Sequence, residues 1–129
     1  METLLVLDDS AADRELARVA VGNTYSIEEA SNGLQAIDML SRGQHTAILV
    51  DLTFYPPMPP FELVTKIREA SPNTAVLVFS GTTDATLIGQ AMLAKADGYV
   101  EKDLIVSVPN YLKNSLESAI VRRMIMAKG

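Results

Sequence analysis

TLLVLDDS, residues 3–10, sets a β-favouring run, Thr3 to Leu7, directly against two aspartates and a serine. An unbroken apolar run of this length suits a strand covered on both faces, because a half-exposed strand alternates apolar and polar side chains. Ser10 can cap a following helix, with Asp13 and Glu15 in its early turns and Leu16, Val19 and Ala20 at helical spacing. The stretch reads as a strand that ends in acid and turns at once into a helix.

Working outward, the same alternation continues. A second strand is expected at Tyr25 to Ala30, after which Asn32-Gly33 leads into a helix through Ala36, Ile37 and Leu40 that stops near Gly43. The third strand, Ala47 to Val50, is another continuous apolar run and ends at Asp51. Four of the six prolines lie in Tyr55-Pro56-Pro57-Met58-Pro59-Pro60, which must be a stiff loop, and a helix resumes near Phe61 with Leu63, Val64 and Ile67 on one face. Ser71-Pro72-Asn73 ends that helix, Ala75 to Phe79 forms the fourth strand, and Ser80-Gly81-Thr82-Thr83 closes it. Asp84 opens a helix with Leu87, Ile88 and Ala91 inward, and Asp97-Gly98 leads to a short fifth strand, Tyr99 to Glu101, ending at Lys102. A final helix is expected from about Pro109 through Leu112, Leu116, Ala119, Ile120 and Met124.

Composition narrows the function classes. The chain has 129 residues, 48% hydrophobic and 21% charged, which suits one packed domain spanning 1–129. Without cysteine it has no disulfides or thiolate sites, and with His45 as its one histidine it has no multi-histidine metal site. His45 itself reads as a surface turn residue ahead of the third strand. A net charge of −5 argues against this domain holding nucleic acid by itself; Arg122, Arg123 and Lys128 read as the cationic end of a helix. The longest uncharged stretch, Ala70 to Thr83, is too polar to span a membrane, and Asp8-Asp9 interrupts the N-terminal apolar run too early for a secretory segment, so a cytoplasmic location is expected. Met124, Ile125 and Met126 form either a partly exposed helix face or the start of a linker helix to an output domain.

Five βα units imply an α/β fold, an open and mostly parallel sheet with helices on both faces. Ligands of such sheets sit beyond the C-terminal strand ends, where this chain places Asp8, Asp9, Asp51, Ser80 and Lys102. One strand-end aspartate is commonly a cap or turn residue; capable groups at four strand ends are harder to explain that way. Gathered carboxylates repel and call for a cation, and an oxygen-only set suits Mg2+, with Mn2+ a second choice. A metal bridging carboxylate and phosphate would make Asp51 a nucleophile toward phosphorus, with Lys102 as point charge and Ser80 as hydroxyl donor to the phosphoryl oxygens.

LLVLDDS, ASNGLQAIDML, AILVDL, VLVFSG and ADGYVEKD together resemble the receiver domain of two-component response regulators over nearly the whole chain. The resemblance implies a flavodoxin-like strand order 2-1-3-4-5. It implies Asp51 as phosphoacceptor, Asp9 as direct metal ligand, Asp8 acting through water, and the Thr53 backbone carbonyl as a further ligand. Ser80 and Tyr99 become the switch pair, Lys102 the phosphate-binding lysine, and Thr53 and Thr82 the positions that tune hydrolysis, here toward slow dephosphorylation. The implied donor is a phosphohistidine on a sensor histidine kinase or histidine phosphotransfer domain. The implied readout is the surface of the fourth helix, fifth strand and final helix, presented to an output domain or target protein.

Two departures accompany the resemblance. The loop after Asp51 is one residue longer, with Pro59-Pro60 where an acidic residue and glycine are usual. Asp103 stands where proline commonly follows the lysine through a cis bond; a cis bond before Asp103 would cost about 2.5–4 kcal/mol, so a trans bond and a rearranged loop before Pro109 are expected. Two other readings stay open: a receiver-like interaction module that is not phosphorylated, and an Asp-nucleophile phosphatase of the haloacid dehalogenase type. The phosphatase motif carries a second aspartate two residues on, where this chain has Thr53.

Overall fold

The computed structural model describes residues 1–53, 57–81 and 85–128. Strands β1 (Thr3–Leu7), β2 (Ser26–Ala30), β3 (Ala47–Val50), β4 (Ala75–Ser80) and β5 (Gly98–Glu101) form one parallel sheet in the order β2-β1-β3-β4-β5, as the resemblance implied. Between and after them run α1 (Ala11–Val21), α2 (Gly33–Arg42), α3 (Pro60–Ala70), α4 (Ala85–Leu93), α5 (Lys102–Ser107) and α6 (Tyr111–Lys128).

The continuous apolar runs serve two cores at once, because successive side chains leave a strand on opposite faces. Leu5, Leu7, Ile48, Val50, Val76 and Val78 point toward Leu40 of α2, Leu63 and Ile67 of α3 and Ala91 of α4. Leu4, Val6, Leu49, Leu77 and Phe79 point the other way, toward Ala17 and Val21 of α1 and Leu112, Leu116 and Ala119 of α6. The edge strand β2 is mostly exposed, which is why its sequence SIEEA is polar. Caps fix the helix entries: Ser10 Oγ accepts the Asp13 N–H at 3.2 Å, and Asn32 Oδ1 accepts the Gln35 N–H at 2.9 Å.

Three expectations are corrected. The last helix begins at Tyr111, not Pro109, because Asn110 takes a left-handed turn at φ 61°, which asparagine tolerates and a helix does not. The segment after Lys102 is not a loop: Lys102 opens the six-residue helix α5, which packs Ile105 against the core that α1 and α6 share. His45 is buried, not superficial. Its Nε2 lies 2.8 Å from Glu28 Oε1, its carbonyl accepts the Thr74 hydroxyl at 2.7 Å, and a Cβ on Gly43 would come within 2.9 Å of its ring. Asp84, the expected start of the fourth helix, and Tyr55-Pro56 of the proline loop lie outside the described residues, while Pro60 opens α3.

The turn from α4 into β5 closes with two bonds, Lys95 N–H to the Met92 carbonyl at 3.0 Å and Ala96 N–H to the Ala91 carbonyl at 3.1 Å. This is the double bond pattern of a Schellman ending, and it puts Lys95 at φ 75°, where glycine is favoured. The left-handed geometry costs a side-chain-bearing residue about 1–2 kcal/mol, partly offset by the extra unfolded-state freedom glycine brings. Lys95→Gly is therefore expected to raise stability by about 0.5–1 kcal/mol in urea unfolding. An unchanged or lower midpoint would contradict the strained turn.

Candidate functional site

The backbone ladder brings the acidic residues together. Leu7 pairs with Val50, so the next residues, Asp8 and Asp51, leave adjacent strands side by side, and the Asp51 N–H donates to the Leu7 carbonyl at 2.9 Å. Asp8, Asp9 and Asp51 each offer a carboxylate oxygen, all within 4.8 Å of one another, with Asp8 and Asp51 buried and Asp9 exposed. Such spacing costs about 4 kcal/mol per charged pair at an effective dielectric near 20.

Part of that repulsion is answered within the chain. Lys102, the first residue after β5, puts its ammonium 2.7 Å from Asp8 Oδ2 and 2.8 Å from Asp13 Oδ2, and 5.0 Å from the centre of the Phe79 ring. Burial works against the Lys102 charge, but the bonds to Asp13 and Asp8 and the nearby Asp51 outweigh it and hold its pKa above the ordinary lysine value. Asp8 Oδ1 accepts the Ser10 N–H at 2.9 Å, and the Asp8 carbonyl accepts Arg14 at 2.7 Å. Asp51 Oδ1 accepts both the Thr53 N–H at 3.2 Å and the Thr53 hydroxyl at 3.0 Å, which sets the carboxylate's orientation.

Burial raises the Asp8 carboxyl above its ordinary 3.8; the Asp51 charge adds to this, and the bonds from Lys102 and Ser10 oppose it. A carboxyl raised in the folded state binds its proton more tightly folded than unfolded, so stability is lost as pH rises from 3.8 through the folded value and stays lost above it. Without divalent ions, Asp8→Asn should thus match the wild type's pH dependence below that window and gain on it steadily across the window. Thermal midpoints in EDTA from pH 3 to 8 check this; a gap that narrows as pH rises contradicts it.

Ser80 ends β4, buried, and pairs in register with Glu101. Tyr99 lies on β5, exposed, its hydroxyl donating to Glu101 Oε1 at 3.1 Å; that bond raises its pKa. The Glu101 N–H donates in turn to the Tyr111 hydroxyl at 3.1 Å. Thr82 lies outside the described residues. Asp8, Asp9, Asp51, Thr53 and Lys102 are thus joined at one rim, with Ser80 at the adjoining strand end and Tyr99 facing outward. Asp13 and Phe79 were missed as site residues. Asp13 was legible only as a helix-turn acid, because its bond to Lys102 spans 89 positions of sequence.

The donor set is all carboxylate, hard oxygen without histidine or sulfur, and its three convergent atoms fit one hard divalent cation. Among the described residues no helix is long and apolar enough to cross a membrane.

The sequence profile of the response regulator receiver domain matches residues 4–108. The nitrate/nitrite response regulator protein NarL of Escherichia coli is 30% identical over 129 residues, which cover 98% of this chain and 58% of that protein, so the chain spans little more than half the length of this relative. A CheY-like response regulator receiver domain protein from Methanospirillum hungatei superposes with a TM-score of 0.77 at 17% identity, covering 92% of this chain and 96% of that one. A response regulator from Burkholderia pseudomallei, whose crystal structure holds a phosphorylated aspartic acid, a calcium ion and citrate, superposes with a TM-score of 0.70 at 23% identity, covering 93% and 74%. Fold, strand order and profile agree: this chain belongs to the response regulator receiver domain family.

Proposed function

We propose that the rim is a phosphoacceptor site and that Asp51 takes a phosphoryl group from a phosphohistidine on a sensor histidine kinase or histidine phosphotransfer domain. The observation that carries this reading is the convergence of the Asp8, Asp9 and Asp51 carboxylates beside a lysine held at the same rim by Asp8. In transfer, an Asp51 carboxylate oxygen forms the new bond to phosphorus as the phosphorus–nitrogen bond of the donor breaks. The products are an acyl phosphate and a neutral histidine. Asp8, Asp9, Asp51 and the Thr53 carbonyl would hold Mg2+ or Mn2+, which supplies positive charge opposite the incoming phosphoryl oxygens. That the Burkholderia relative holds a phosphorylated aspartate and a divalent ion on the same fold supports the assignment.

The remaining residues act around Asp51. Lys102 gives up Asp13 and reaches the phosphoryl oxygens, and the Ser80 hydroxyl donates to them. Tyr99 leaves Glu101 and turns inward, which remodels the surface of α4, β5 and α6 that an output domain or target reads. Thr53 and Thr82 offer no carboxylate or amide to orient water, so the acyl phosphate is long-lived. The receiver unit is taken as 1–129 and its setting as cytoplasmic, where such kinases present their phosphohistidines.

Incubation with acetyl phosphate and Mg2+ tests the reading. The expected result is one phosphoryl adduct per chain, sensitive to hydroxylamine, absent from Asp51→Asn and absent in EDTA. Continuous phosphate release would instead point to the phosphatase reading, and the lack of any adduct to an interaction module.

A further inference from the structure

At the pole opposite the carboxylates, the end of α3, the α4–β5 turn and the second half of α6 enclose a cavity of about 280 Å3 lined by Arg68, Lys95, Asp97, Arg122, Arg123 and Met126. Four cations face one carboxylate there, in a chain whose net charge is −5. The carboxylate is already engaged: Asp97 Oδ2 accepts Arg68 Nη2 at 3.0 Å and the Val76 N–H at 2.8 Å. Arg123 Nε lies 3.9 Å from Asp97 Oδ1, beyond hydrogen-bond reach. The Nε–H groups of both Arg68 and Arg123 are buried with no hydrogen-bond partner among the described residues. Buried donors without acceptors are costly and uncommon. Lys95 adds a second signal, since it keeps a cationic side chain at φ 75°, where glycine would be easier.

The unmet requirement is for an acceptor-rich anion. The volume equals that of roughly nine waters at liquid density, large for a halide and small for a whole nucleotide. Arg68 commits its Nη groups to the Pro72, Thr74 and Lys95 carbonyls and to Asp97, so it has only its Nε–H to offer an anion, while Arg123, with Lys95 and Arg122 at the mouth, supplies the further charge that phosphate oxygens match. We propose that this cleft binds a small phosphate-bearing anion, pyrophosphate or the terminal diphosphate of a nucleotide, independently of the carboxylate rim.

Titration of the full chain with sodium pyrophosphate, without divalent ions and at constant ionic strength, followed by 15N–1H correlation spectra, tests it. The expected result is saturable shifts of the Arg68 and Arg123 Nε–H resonances and of the amides of Lys95 to Gly98, with the spectra around Asp51 unmoved. Arg123→Met and Lys95→Gly should each weaken binding about tenfold, the worth of one bond to a charged group. Lys95→Gly is expected to be more stable than the wild type, so its lost affinity would not reflect unfolding. Tighter binding of ADP than of pyrophosphate would identify the nucleotide as source, and weaker binding the free anion. Absence of saturable Nε–H shifts, variants that bind like the wild type, or a single-stranded oligonucleotide that binds more tightly than either small anion would overturn the proposal.

Discussion

Lys102→Met is expected to lower metal-free stability at pH 7 by about 3 kcal/mol, and Asp8→Asn in the same chain to restore most of it. Lys102 is the cation in ion contact with Asp8, whose side chain is wholly buried and already raised by burial and by Asp51. Removing one partner of a buried pair leaves the other charge uncompensated, which costs more than the pair itself contributes. Neutralising Asp8 removes that orphaned charge, so the two substitutions should not add. Urea midpoints in EDTA for the wild type, both single variants and the double variant check it. A Lys102→Met protein as stable as the wild type, or strictly additive effects, would refute the pairing.

The same four proteins separate folding from chemistry. If Lys102 also neutralises charge on the phosphoryl oxygens, the double variant regains stability without regaining activity. Its labelling by acetyl phosphate should stay about 10²–10³-fold slower than wild type, the usual loss when one preorganised electrostatic donor is removed. Recovery of both together would mean that Lys102 serves the fold alone. Asp13 is the contact to watch, because it occupies Lys102 at 2.8 Å and must release it before the ammonium can move.

How much of this was legible in the sequence depends on how local the signal was. Leu4 to Leu7, Ala47 to Val50 and Ala75 to Phe79 announce central strands because burial on both faces forbids alternation, and each terminates near a residue of the rim. The carboxylate trio followed from that, since parallel strands put all their C-terminal ends on one edge. Helix α5 left little trace: four of its six residues, Asp103, Ile105, Val106 and Ser107, are weak helix formers, and what fixes them is Ile105 docking on the core. His45 gave no warning of burial because the space for its ring comes from Gly43 and its partner from Glu28, on β2 and 17 positions earlier. Arg123, read as part of a helix's cationic end, instead reaches back toward Asp97, a partner 26 positions earlier that no periodicity marks.

Asp97→Ala is expected to cost about 3–5 kcal/mol, more than any surface change, for two reasons that can be measured apart. The first is backbone satisfaction. Val76 of β4 receives the Asp97 N–H at its carbonyl at 2.7 Å and gives its own N–H to Asp97 Oδ2 at 2.8 Å, so the side chain extends the β4–β5 ladder by one rung. Alanine would leave that buried N–H without an acceptor, at about 1–3 kcal/mol. The second is charge. Burial, together with the neighbouring Arg123, pulls the Arg68 guanidinium below its ordinary value, and Asp97 is what opposes this. Asp97→Asn keeps an acceptor for Val76 and loses only the charge, so it should fall about midway on that scale. Amide exchange at Val76 distinguishes them: protection lost in Asp97→Ala and kept in Asp97→Asn, with Arg68→Met restoring part of the stability of the alanine variant but none of the protection. An Asp97→Ala midpoint within about 0.5 kcal/mol of wild type, the range of an ordinary surface substitution, would sink the argument. Because β5 carries Tyr99 and ends one residue before Lys102, a frayed start to that strand also loosens the far end, and labelling of Asp51 should slow in step with the loss of Val76 protection.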